Sequence, residues 1–196
     1  LSQDATEIKR RINLYRPTSY TSIHRGVKWG ITLLDPSMRS TLGGLSSVDP
    51  AFRNARPANY NSGETNKYLV VMTDGVNVNS RRIDRTPYYN TYAWQKTWSE
   101  NPFDYWRSNN GYPSRDTYTD TPGSFTQFNT RMVDLCNLAK PNMTIYTIAM
   151  GAGDGADEIA KCATQPSYAF STEFDSSADA DEPGMNQIFS KIAEQI

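Results

Sequence analysis

Apolar residues fall in short blocks along this chain, and the clearest block is Lys67–Gly75, read Lys-Tyr-Leu-Val-Val-Met-Thr-Asp-Gly. A continuous apolar run bounded by polar residues predicts a strand buried on both faces, which is the pattern of parallel sheets. Met143–Ala149 repeats it, and Tyr168–Phe170 is a shorter version. Helical spacing fills the intervals. Phe125, Phe128, Met132, Leu135 and Ala139 predict a helix that ends before Pro141. A second is expected over 155–163, and Met185, Ile188, Phe189, Ile192 and Ile196 mark a third. Strand–helix repeated in this way calls for an α/β fold: an open, doubly wound, mostly parallel sheet with right-handed crossovers.

The N-terminal part reads as two helices. Ala5, Ile8 and Ile12 give helical spacing over 3–14, and Pro17 stops it. Ile23, Val27, Ile31 and Leu34 define the next helix, with Thr21 or Ser22 as its N-cap and Asp35-Pro36 at its end. Gly26 and Gly30 lie on one face of it. Glycine is unfavourable inside a helix, so the pair predicts a close approach to the sheet. Residues 36–66 have no clean period and read as a long loop. Residues 76–125 read as an insertion dense in aromatics, among them Tyr92, Trp94, Trp98, Tyr105 and Trp106. Long disordered segments are poor in such residues, so a folded excursion over the carboxyl end of the sheet is expected, with a short helix near 91–99.

Composition narrows the functional classes. The 196 residues suit one domain, and the net charge of −1 gives no electrostatic footprint for nucleic acid. Mean hydropathy is −0.66, and no apolar run approaches the length of a membrane span. The first residue is Leu1, so a fragment or processed product is expected, with any anchor outside it. The glycines at 151, 153 and 155 lack the order of a dinucleotide fingerprint and the Lys-Ser/Thr of a phosphate loop. There is no Gly-x-Ser-x-Gly, and His24 is the sole histidine, which leaves few options for a general base. A non-enzymatic role is expected.

The carboxyl ends of the strands are where open α/β sheets gather their chemistry. Thr73 and Asp74 fall there. Asp74-Gly75 alone is a turn signal; at that position Asp74 is also a candidate cation ligand. The two cysteines, Cys136 and Cys162, fit no zinc spacing. Successive right-handed crossovers place the helices at 126–139 and 155–163 on one face, with both cysteines near the helix ends remote from Asp74. A disulfide is expected, and with it an oxidising compartment; two reduced core thiols are the alternative.

These pieces resemble a von Willebrand factor A domain. The matching residues are Thr-x-Ile-x-x-Gly-x-x-Trp-Gly at 21–30, Thr-Asp-Gly at 73–75, Leu-Cys-x-x-x-Lys at 135–140, Cys162-Ala163, and the closing Phe-Ser-Lys-Ile-Ala-Glu-Gln-Ile. Among such domains the chain is most similar to those of TadG-like proteins of Tad (Flp-type) pilus assembly. The resemblance implies a metal-ion-dependent adhesion site for Mg²⁺ or Mn²⁺, with Ca²⁺ as a third candidate. Thr21 and Asp74 match two of its ligand positions. The family's Asp-x-Ser-x-Ser is absent, and Asp175-Ser176-Ser177-Ala178-Asp179 reads as a solvated loop. Residues 1–196 therefore resemble a partial domain whose first strands would come from elsewhere, with metal binding weak without them. The strand at 67–73 would be left as an exposed edge.

The implied role is adhesion or assembly through a protein partner, a pilus or envelope component, in the periplasm or at the cell surface. A membrane anchor outside this chain is implied too. Tyr92, Trp94, Trp98, Tyr105 and Trp106 of the insertion are the expected contacts for the protein partner; a carbohydrate-binding surface formed by the same aromatic insertion, with Trp94, Trp98 and Trp106 as its test positions, is the alternative.

Overall fold

The computed structural model describes residues 2–15, 21–53, 55–60, 62–79, 82–83, 119–120, 123–153, 155–172 and 184–196. The strands are β1 (Tyr68–Thr73), β2 (Arg82–Ile83), β3 (Thr119–Asp120), β4 (Thr144–Met150) and β5 (Ala169–Thr172). The α-helices are α1 (Ala5–Ile12), α2 (Ile23–Leu34), α3 (Arg39–Gly43), α4 (Phe125–Ala139), α5 (Gly155–Ala160) and α6 (Met185–Gln195). The chain divides into two units, Leu1–Asn77 with Thr126–Ile196, and Val78–Phe125. Within the smaller unit β2 and β3 pair antiparallel.

The larger unit is mixed α/β, built on a parallel sheet in the order β1-β4-β5. Val71 pairs with Thr147, and Ile148 with Phe170. The central strand β4 is buried from Ile145 to Ala149. Its alternate side chains feed two cores, as the two-residue period of a strand requires. Ile145 and Ala149 meet Val27 of α2, Met132 and Cys136 of α4 and Ile159 of α5. Tyr146 and Ile148 meet Ile188 and Ile192 of α6 on the other face. The sheet is thus covered on both sides at β4, which is why β4 reads as an apolar run from Ile145 to Met150 interrupted only by the buried Thr147.

β1 differs from its sequence pattern. Val71 and Thr73 are buried, but Val70 is 40% and Met72 51% exposed. Its α2 side is covered; on its α6 side Tyr68 packs against the core of Tyr146, Ile148, Ile188 and Ile192, while Val70 and Met72 are left open. Among the described residues nothing pairs with its outer edge. Six residues without a charge or proline make an unprotected edge, which soluble proteins normally cover or blunt.

α1 has the same character. Asp4 caps it by accepting from the N–H groups of Thr6 and Glu7. Glu7 bonds Arg10 and Arg11, and those two guanidinium groups hold its carboxyl down to about 2. No residue of α1 is buried, and Ile8 and Ile12 are 42% and 56% exposed. A helix of two turns is marginal alone in water, and its apolar stripe of Ile8 and Ile12 is left uncovered among the described residues.

Two further points differ from the sequence reading. The span 36–66 carries α3 and 3-10 turns at Pro36–Met38 and Pro50–Phe52. Asp35 and Asp49 accept from the N–H groups of Ser37 and Ala51 and so start those turns just ahead of a proline, a local signal that a periodicity search overlooks. Of the two glycines in α2, only Gly30 is a contact point: a Cβ there would lie 2.7 Å from Leu69 Cδ1, whereas Gly26 faces open space.

Cys136 and Cys162 are fully buried and joined by a disulfide, with their Cα atoms 5.1 Å apart. Thr164 fastens the same region to the start of β4. Its N–H donates to Ile145 O and its hydroxyl accepts from Ile145 N–H. No described helix is long and apolar enough to cross a membrane.

Candidate functional site

The carboxyl end of β1 meets the first turn of α2. Thr73 folds the chain back: its hydroxyl donates to Gly75 O at 3.0 Å and accepts from Gly75 N–H at 3.2 Å. The turn leaves Asp74 exposed beyond the strand. Thr21, two residues before α2, sits over the turn, with its Oγ1 3.9 Å from where a Cβ of Gly75 would lie. Thr21 therefore lies beside Gly75, the residue that follows Asp74 in the chain. Thr21 and Asp74 present a hydroxyl and a carboxylate, the oxygen donors that a hard divalent cation takes. Among the described residues no group of three or more His, Cys, Asp or Glu is placed to hold a metal.

What fixes this arrangement is Asn77, which the sequence reading did not single out. It is 2% exposed. Its Oδ1 accepts from His24 N–H at 3.3 Å and faces His24 Nδ1 at 3.4 Å. Its Nδ2 donates to Asn129 Oδ1 of α4 at 2.8 Å. Ser22 occupies the N-cap position of α2 but makes no side-chain cap bond. The cap comes instead from Asn77, fifty-three residues along the chain. Since helix N-terminal amides lack intrahelical partners, this bond ties the Thr21 end of α2 to the loop after Asp74.

The Asn77 carbonyl must accept from His24 N–H, so the nearby Nδ1 bears the proton in neutral His24, and Nε2 keeps its lone pair. The ring lies parallel on Phe128, with centroids 4.4 Å apart. Burial, with Arg25 and Arg131 nearby, pushes the His24 pKa below its ordinary 6.5, against the Asn77 bond that raises it. The unfolded chain then takes up a proton first. Stability is complete above about pH 6.5 and declines as pH falls through that value towards the folded pKa. Urea unfolding at pH 7.5 and 5.5 is expected to show the loss, and His24→Gln to flatten it. An unchanged slope in that variant would place the titration elsewhere. His24 is the sole histidine, so the window is free of other imidazoles.

Gly155 completes the support. A Cβ at the start of α5 would come within 2.5 Å of Val76 Cγ1 and 3.3 Å of Gly75 O. Gly155 is thus a packing device: it lets α5 press against the turn that carries Asp74.

Tyr92, Trp94, Trp98, Tyr105 and Trp106 lie outside the described residues, as do Asp175–Asp179 and the helix expected near 91–99. Neither a protein-family model, nor a curated protein, nor a solved structure matches this chain.

Proposed function

We propose that this chain is the later part of a von Willebrand factor A-type domain, most like those of TadG-like Tad/Flp pilus assembly proteins. It acts as a non-enzymatic adhesion or assembly module outside the cytoplasm. The observation that carries this reading is the junction of Thr21 with Asp74-Gly75 at the carboxyl end of a parallel strand whose outer edge is unpaired among the described residues. Thr21 and Asp74 would hold Mg²⁺ or Mn²⁺, with Ca²⁺ as the third candidate. The cation would supply an open coordination position for a carboxylate of a protein partner.

Two oxygen groups are too few to hold such an ion firmly. The remaining ligands would come from a polypeptide segment that pairs with β1 and covers Val70, Met72 and the Ile8/Ile12 stripe of α1, with its strand end beside Asp74. Mutual dependence follows: metal affinity is weak without that segment and strong with it. The buried disulfide supports an oxidising compartment, which agrees with a periplasmic or surface-exposed assembly factor tethered by a segment outside this chain.

The test is native mass spectrometry of the protein isolated from its own source, with and without Mn²⁺. A second polypeptide segment and one retained Mn²⁺ are expected. Asp74→Ala and Thr21→Ala should each lower Mn²⁺ affinity while the segment stays bound. A monomer of this chain alone that stays soluble, or Mn²⁺ retention indifferent to Asp74, would overturn the reading.

A further inference from the structure

The opposite pole of the sheet, at the N-terminal ends of β1 and β4, holds an open cavity of ≈ 460 Å³ between residues 59–67 and 140–144. Its size falls in the range of small-ligand sites. The amides of Asn66 and Asn142 line it, with Thr144, Lys67 and Lys140. No carboxylate is among its described walls.

Lys67 is the unusual wall residue. It is 7% exposed, and lysine is almost never so buried without an acidic partner. Its ammonium donates to Leu34 O and Ala58 O and lies 4.4 Å from the centroid of the Tyr60 ring. Those two bonds use two of its three N–H donors. Asp35, the nearest acid acting on it, accepts instead from Tyr60 Oη at 2.9 Å and makes no ion pair with Lys67. Burial accordingly pushes the Lys67 pKa down. Lys140 is likewise bonded to neutral groups, Asn137 Oδ1 and Lys161 O. Lys67 and Lys140 thus both line one cavity, and no carboxylate is among its described walls.

We infer that this cavity binds a small ligand that carries a carboxylate or phosphate on a hydroxyl-rich frame, an acidic or phosphorylated sugar. The oxyanion is drawn by the charges of Lys67 and Lys140, which no carboxylate of the cavity's described walls offsets. The Asn66 and Asn142 amides and the Thr144 hydroxyl can each donate and accept, which suits a ring of hydroxyls. The site lies at the end of the strands remote from Asp74, so it stands whether or not Thr21 and Asp74 hold a cation.

Lys67 also has a structural use, because a cation bonded to the last carbonyls of α2 favours the helix end. The test therefore leaves Lys67 in place. Titration calorimetry of the intact chain is run with glucuronate, glucose 6-phosphate and glucose. At least one of the two anions is expected to bind, and glucose is not; which anion binds tells the carboxylate source from the phosphate source. Lys140→Gln should raise the dissociation constant about tenfold, the size of one lost charged hydrogen bond. Asn142→Trp, which fills the cavity from its exposed wall, should abolish binding with the melting temperature unchanged. The inference is overturned if neither anion binds at millimolar concentration, if glucose binds equally, or if Asn142→Trp leaves binding intact.

Discussion

Replacing both Cys136 and Cys162 by alanine is expected to lower the stability of the larger unit by about 3.5 kcal/mol, the loop-entropy value for a bridge of this span. The bridge joins positions 26 residues apart. Between them lies all of β4, the strand that both cores share. In the unfolded chain the cross-link holds together the ends of that α4–β4–α5 segment, so much of the closure entropy is already lost before folding. Without it, the whole cost falls on folding. For a unit of this size the loss corresponds to a melting temperature lower by roughly 10 °C. Calorimetric melts of the oxidised protein and of the double variant compare the two states directly. A difference under about 2 °C would mean that the bridge contributes little beyond ordinary core packing.

The bridge also shows which parts of the fold the sequence made legible. β4 and its flanking helices are local patterns: an apolar run, a 3.6-residue period, and glycines or prolines at the ends. Their arrangement follows from the handedness of crossovers, which brings Cys136 and Cys162 together without any alignment. β1 was located just as well, but its burial was not. An apolar run predicts two covered faces, and Val70 and Met72 have only one. The run records the surroundings that a strand is built for. In β1 those surroundings are incomplete among the described residues, and the excess of apolar character is the sign of it.

The candidate site divides in the same way. Asp74 at a strand end and Thr21 at a helix start were legible as positions, whereas the ligand role of Thr21 came only from the resemblance. Their support was not legible. Asn77 looks like a loop residue between Val76 and Val78, and nothing local reveals that it caps a helix that begins more than fifty residues earlier. A faint signal exists: an amide between two valines is costly to bury unless it is bonded, so its burial would have implied partners. Gly155 was visible as a glycine, but its reason is the approach of Val76 and Gly75 O, which is purely tertiary.

Asn77→Ala should therefore have the second large effect, and it separates support of the site from the site itself. The substitution removes the acceptor for His24 N–H and the donor to Asn129 Oδ1 in a place that water hardly reaches. Loss of the helix cap and of the bond to half-buried Asn129 together cost about 2 kcal/mol. The damage should concentrate in the first turn of α2: hydrogen exchange at residues 24–27 should quicken more than exchange in β4. Asn77→Asp retains the acceptor and loses only the donor. It should keep the first turn protected, and its carboxylate would favour the charged imidazole, raising the His24 pKa. The pH dependence then reverses. Stability in that variant should be greater below the unfolded value of about 6.5 and be lost as pH rises through the higher folded pKa. Uniform loss of protection across the sheet in Asn77→Ala, or the same pH profile in Asn77→Asp as in the unchanged protein, would show that Asn77 is only a packed core residue. It would then not be what holds Thr21 over Gly75.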